Sequence, residues 1–209
     1  MATNILATGP QGPAGRNTQQ QASGGAYGET AVLEASGRYA EPTRLLRRFG
    51  GAPQAAVATT AAFATTYTGL VLANPNGSLV NAYLDKVGVG AILAQTSPLA
   101  VGLMVGQSTT AFSGVTAATS GSEAVGSNVS PVAQLYSAAT LPIAPTLRRI
   151  LGSFGTGAVT VDQFDLAAID QEGSIVLTPG AFVAIYTNVA SVAASLFLSF
   201  GWEERAITT

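Results

Sequence analysis

The chain has 209 residues, 47% hydrophobic but only 10% charged, well under the roughly 25% charged usage of an average soluble domain. Nine basic against eleven acidic side chains leave a net charge of -2, so no bulk positive field draws it to phosphate or anionic lipid, and direct nucleic-acid binding is not expected. It has neither histidine nor cysteine, which removes the usual general base, the thiol nucleophile, disulfides and the customary zinc and copper ligands. No catalytic residue, cofactor or metal site is therefore assigned, and a non-enzymatic role is expected.

Residues 1–54 read as an extended N-terminal arm with nine of the 24 glycines and a Gln19-Gln20-Gln21 run. Its five arginines (Arg16, Arg38, Arg44, Arg47, Arg48) against three glutamates give +2, whereas the remainder carries -4. The first ten residues show neither a basic nor an apolar stretch, so no secretory signal is expected and synthesis falls to the cytoplasm. Gly9-Pro10-Gln11-Gly12-Pro13-Ala14-Gly15-Arg16-Asn17 makes three Gly-X-Y triplets. Three are too few to hold a triple helix, so this stretch reads as a tether, with a short trimeric stalk as the alternative. Residues 42–49 predict a short basic helix, with Pro42 in its first turn and Gly50-Gly51 as its stop. Leu45, Leu46 and Phe49 then share a face ringed by Arg44, Arg47 and Arg48. That face is a candidate interface, toward its own domain or toward an acidic neighbouring subunit, with nucleic acid or lipid as the weakest alternative. Deleting residues 1–50 is expected to leave the rest folded but to abolish docking.

Residues 55–209 read as an antiparallel, jelly-roll-like β-sandwich. Strands are expected at 55–63, 67–73, 79–90, 99–105, 131–136, 147–152, 159–166, 174–177, 182–187 and 193–202, short apolar runs separated by turn residues. Asn74-Pro75-Asn76-Gly77 is one strong turn, and Thr178-Pro179-Gly180 another, of type II. The charge-free run 181–200 is long enough for a membrane helix, but its β-branched and hydroxyl content fits two strands joined near Asn188. In Leu147-Arg148-Arg149-Ile150-Leu151 the alternation breaks, which predicts a bulge or a guarded edge.

Residues 182–186 are apolar at both parities, and from 51 to 145 the only charged residues are Asp85, Lys86 and Glu123. Both features predict an outer layer supplied by sister subunits, hence a homo-oligomer, with a trimer expected. Trp202, ending the last apolar strand, is a core or interface anchor, with a sugar-stacking platform as the weaker reading.

Other chemistry is sparse. Asp162, Asp165, Asp170 and Glu172 supply oxygens at a spacing unlike an EF-hand and read as a solvated acidic edge. Glu203 and Glu204 are adjacent on a strand, point to opposite faces and cannot flank one glycosidic bond. Gly152-Ser153-Phe154-Gly155-Thr156-Gly157 lacks the Gly-Lys-Ser ending of a phosphate loop and reads as a plain loop.

Residues Tyr67-Thr68-Gly69-Leu70-Val71-Leu72-Ala73-Asn74-Pro75-Asn76-Gly77-Ser78, then Gly173-Ser174-Ile175-Val176-Leu177-Thr178-Pro179-Gly180, then Ser199-Phe200-Gly201-Trp202-Glu203-Glu204 resemble structural proteins of tailed-bacteriophage heads. The likeness covers about residues 55–205. It implies a trimeric jelly-roll-like sandwich acting as a capsid cement or decoration protein on the virion exterior, bound to the major capsid protein. A head-fibre or receptor-binding module is the alternative, and a carbohydrate-binding protein a more distant one.

Overall fold

The computed structural model describes residues 38–156 and 167–207, and the backbone of two short strands before them. The chain divides into two compact units, Met1–Glu41 and Pro42–Thr209. In the first, β1 (Ser23–Gly24) pairs antiparallel with β2 (Thr30–Ala31), and the Arg38 guanidinium lies 5.4 Å from the centre of the Tyr39 ring. The Gly-X-Y triplets and the glutamine run lie outside the described residues.

The basic helix is shorter and earlier than the sequence suggests. Helix α1 spans Ala40–Arg44 and stops without glycine. Leu46 takes the left-handed conformation at φ 56°, its N–H donates to Thr43 O and the Arg47 N–H to Pro42 O, both at 3.0 Å. This pair of bonds satisfies the last carbonyls of the helix in the 6→1, 5→2 pattern. Residues 48–52 are not helix or arm at all: they form β3 (Arg48–Ala52) inside the sandwich.

The remaining strands are β4 (Thr66–Ala73), β5 (Val80–Ala91), β6 (Leu99–Gln107), β7 (Ser113–Ala117), β8 (Thr119–Ser122), β9 (Gln134–Thr140), β10 (Thr146–Phe154), β11 (Ala167–Leu177), β12 (Ala181–Thr187) and β13 (Leu196–Ala206). They form a six-stranded sheet ordered β10-β6-β12-β4-β9-β7 and a five-stranded sheet ordered β11-β5-β13-β3-β8, with every pairing antiparallel. Setting aside β7, β8 and β9 leaves two four-stranded sheets, β10-β6-β12-β4 and β11-β5-β13-β3. The chain alternates between them except at the β6–β10 pair. That is the jelly-roll order, with β7–β9 inserted between its fourth and fifth strands and widening both sheets on one side.

The expected strand at 55–63 is irregular, holding only the Val57–Leu196 bridge. The one at 159–166 lies outside the described residues. The run 181–200 does split into β12 and β13, and no helix among the described residues is long and apolar enough to cross a membrane. Both turns form. Ser78 N–H donates to Pro75 O across Gly77 at φ 80°, and Ala181 N–H to Thr178 O across Gly180 at φ 83°. Strand β10 is a sheet edge and also carries two register shifts, between Leu147 and Arg149 and between Ile150 and Gly152. Gly152, Ser153 and Phe154 belong to β10 rather than to a loop.

The inner faces meet in one core that includes Phe49, Leu72, Leu84, Leu103, Ile185, Leu198, Phe200 and Trp202. A second apolar cluster, with Val71, Met104, Phe182 and Ala184, covers the opposite face of the six-stranded sheet. Here the expectation of a subunit-supplied layer is corrected. The chain covers β12 itself: Phe112 packs edge-on against Phe182 (5.3 Å, 84°) and beside Tyr136 (5.7 Å). Tyr67 folds across Gly69, where a side chain would strike its ring, and donates its hydroxyl to Ile185 O at 2.6 Å.

Candidate interface

Strand β5 carries the local irregularity on which the polar site is built. Ala82 and Leu84 point into the core, and so do Val87 and Val89, a change of parity that places one extra residue between them. The register confirms it: Trp202 faces Leu84 and the next residue back, Gly201, faces Lys86, with Asp85 unmatched. The bulge turns both Asp85 and Lys86 away from the core. Glu123 comes to the same outer face, lying over Gly50 where any side chain would collide with its carboxylate. The three charged residues found between 51 and 145 thus stand on one face of the five-stranded sheet.

Arg48 joins them from β3. Its Nε–H donates to Asp85 Oδ2 at 3.2 Å, with about a tenth of each side chain exposed (11% and 9%). The guanidinium reaches β5 by crossing β13 at Gly201, whose missing side chain would lie 3.7 Å from an Arg48 terminal nitrogen. Burial pushes the Asp85 carboxyl above its usual range; Arg48 pulls it down, while Glu203 and Asp170 add to the rise. Beside this pair, Arg205 forks onto Glu203 at 2.8 and 2.9 Å, and its guanidinium sits 5.1 Å from the centre of the Tyr83 ring. These contacts pair Arg48 with Asp85 and Arg205 with Glu203 on this face.

Glu203 and Glu204 do face opposite ways. Glu204 is nearly buried, and its carboxylate accepts from Trp202 Nε1 (3.0 Å), Val132 N (3.0 Å) and Ala133 N (2.8 Å). It clamps the segment leading into β9 to the end of β13. Nothing in the spacing of the sequence revealed this clamp.

The seven expected interface residues therefore separate. Phe49 and Trp202 are core residues, 3% and 0% exposed with ring centres 6.1 Å apart. The Trp202 ring is closed to any sugar, which removes the stacking-platform reading. Arg48 is engaged with Asp85. Arg44, Leu45, Leu46 and Arg47 stay exposed. Leu45 and Leu46 lie at the end of the sandwich where β3 and β5 begin and β13 finishes. Leu79 is 80% exposed and Val125 100%, with Val129, Val132 and Ile207 also open to solvent. The Ile207 N–H to Leu79 O bond (2.9 Å) and the Glu123 N–H to Arg48 O bond (3.0 Å) hold these segments side by side.

A groove of about 440 Å³ opens between β10 and β11, with Val105, Ile143, Val176 and Phe182 in its walls and Arg148 as its charged residue. No group of acidic side chains able to hold a metal occurs among the described residues. Asp162 and Asp165 lie outside them, and Asp170 Oδ1 accepts the Glu172 N–H at 3.0 Å within the β11 irregularity. Comparison with protein-family models, curated proteins and solved structures finds no match for the chain.

Proposed function

We propose that this chain is a structural virion protein, a capsid cement or decoration protein that sits on the exterior of a phage head as a trimer and bridges subunits of the major capsid protein. The supporting observation is the distribution of its few polar groups. The Arg48–Asp85 and Arg205–Glu203 pairs are gathered on one sheet face, while the end from which residue 42 leads into the fold exposes Leu45, Leu46, Leu79, Val125, Val129 and Ile207 beside Arg44 and Arg47. Large aliphatic side chains grouped at an exposed end are the composition of a docking surface rather than of a solvated one. A protein that binds only the assembled shell stabilises that shell by mass action, and this role needs no reacting group. The two-sided apolarity of β12 lends the trimer no support, because the chain buries both faces itself; the exposed end carries it instead.

The test is genetic and physical together. Particles made with and without the gene are compared by electron microscopy, quantitative mass spectrometry and release of packaged DNA on heating. The reading expects the chain in many regular copies on the head and earlier DNA release without it. Its absence from particles, or confinement to tails or fibres, overturns the reading.

A further inference from the structure

The turn between β4 and β5 carries Asn76 followed by Gly77, both exposed. We propose that Asn76 is a self-modification site, its side-chain amide converting to a carboxylate through a cyclic imide closed by the backbone nitrogen of Gly77. In the first step the Gly77 nitrogen attacks Asn76 Cγ. A Cγ–N bond forms, the Cγ–Nδ2 bond breaks, and the displaced nitrogen leaves as ammonia with the proton shed by the backbone amide. Water then opens the imide. Cleavage at the side-chain carbonyl gives aspartate; cleavage at the main-chain carbonyl gives isoaspartate, with the backbone rerouted through the side chain.

Ring closure needs a nucleophilic N–H in the next residue and no bulk around it, and position 76 has both. The hydrogen bond of the turn runs from Ser78 N–H to Pro75 O, which leaves the Gly77 N–H outside it. A side chain at Gly77 would meet nothing within 4 Å, so no packed neighbour crowds the residue that supplies the attacking nitrogen. The other described asparagines are protected, each for a stated reason. Asn74 is buried, donates from Nδ2 to Val80 O and Leu177 O at 2.8 Å each, and is followed by Pro75, which has no N–H to attack with. Asn81 is held within strand β5. Asn128 and Asn188 precede Val129 and Val189, whose branched Cβ crowds the attacking nitrogen.

The conversion has a mechanical consequence. Asn76 Nδ2 donates to Thr109 O at 3.5 Å, tying this turn to the segment that seats Phe112 on Phe182. A carboxylate there offers only acceptors to that carbonyl, so the tie is lost and replaced by repulsion. A new negative charge also appears at the turn. This chemistry does not depend on the virion role.

The test ages the full-length folded chain in neutral and in mildly alkaline buffer and maps each asparagine by peptide mass spectrometry, with isoaspartate scored separately. Position 76 is expected to convert ahead of every other described asparagine, faster at the higher pH, giving both aspartate and isoaspartate. Asn76→Gln is expected to remove most of the ammonia release while leaving circular dichroism unchanged. Three results overturn the proposal: a folded chain that keeps the Asn76 amide while the urea-unfolded chain loses it, aspartate without isoaspartate, or earlier conversion at Asn128 or Asn188.

Discussion

The indole N–H of Trp202 donates to Glu204 Oε1 at 3.0 Å, and the same carboxylate takes the backbone N–H groups of Val132 and Ala133. A fully buried tryptophan is thereby coupled to a loop through one acidic side chain. Replacing Glu204 with alanine leaves three donors in a nearly dry site, each unsatisfied donor costing about 1–3 kcal/mol. We expect Glu204→Ala to lower stability by at least the upper part of that range and Glu204→Gln, which keeps an acceptor oxygen, by clearly less. Because Trp202 is the sole tryptophan, its fluorescence in a urea titration reads both variants. Equal stability of Glu204→Ala and the parent protein would refute the clamp.

Two truncations distinguish the observed domain boundary from the one expected at residue 54. Removing residues 1–41 leaves β3 intact and is expected to preserve the cooperative unfolding transition. Removing residues 1–50 takes away Arg48, Phe49 and Gly50, and with them the Phe49–Trp202 contact and the Arg48–Asp85 ion pair. Loss of a buried phenylalanine alone costs about 3–5 kcal/mol, a large fraction of the total for a marginally stable domain. The shorter chain is therefore expected to be largely unfolded or insoluble. A cooperative transition in both would show that β3 is dispensable.

The jelly roll was legible because turn chemistry and alternation agree. Asn76-Gly77 and Pro179-Gly180 mark the ends of strands whose apolar residues repeat by two, and Leu196, Leu198, Phe200 and Trp202 all point inward as that period requires. Strand β3 was hidden because Arg48-Phe49-Gly50-Gly51-Ala52 carries helix-stop glycines, whose use is tertiary. A side chain at Gly51 would approach Thr119 O and Leu135 Cδ2 to 2.6 Å, so glycine there admits a neighbouring strand. Strands β7 and β8 were hidden for another reason: they lack buried residues and so lack alternation. The polar face was half legible. Leu84-Asp85-Lys86-Val87 already contains the parity slip of the bulge, but the pairing of Arg48 with Asp85 depends on a strand that the pattern did not reveal.

Burial raises the Asp85 carboxyl above its ordinary value, against the pull of Arg48. A carboxyl that holds its proton more tightly in the folded chain contributes stability fully below its unfolded value, and loses it as pH rises through the folded value. Comparing the parent with Asp85→Asn cancels the other carboxylates. We expect the parent to lose stability relative to Asp85→Asn as pH rises through and just above the carboxylate range, measured by denaturant titration at a series of pH values. In Arg48→Met that downward pull is gone, so the loss extends to higher pH and reaches about 3–5 kcal/mol near neutrality, the scale for breaking a buried pair from one side. A difference curve that rises with pH contradicts this assignment.

The exposed end offers the cleanest separation of docking from folding. Leu79 and Val125 are 80% and 100% exposed, so aspartate at either position breaks no buried contact and is expected to shift stability by no more than about 0.5 kcal/mol. A carboxylate placed on an apolar contact surface must be desolvated when a partner covers it, which opposes association strongly. The double variant Leu79→Asp, Val125→Asp is therefore expected to keep the unfolding midpoint of the parent, to sediment as a smaller species wherever the parent is trimeric, and to fail to saturate heads that lack the protein. Retained saturation by the double variant would move the contact surface elsewhere, with the groove between β10 and β11, where Ile143 and Val176 are also exposed, as the next surface to substitute.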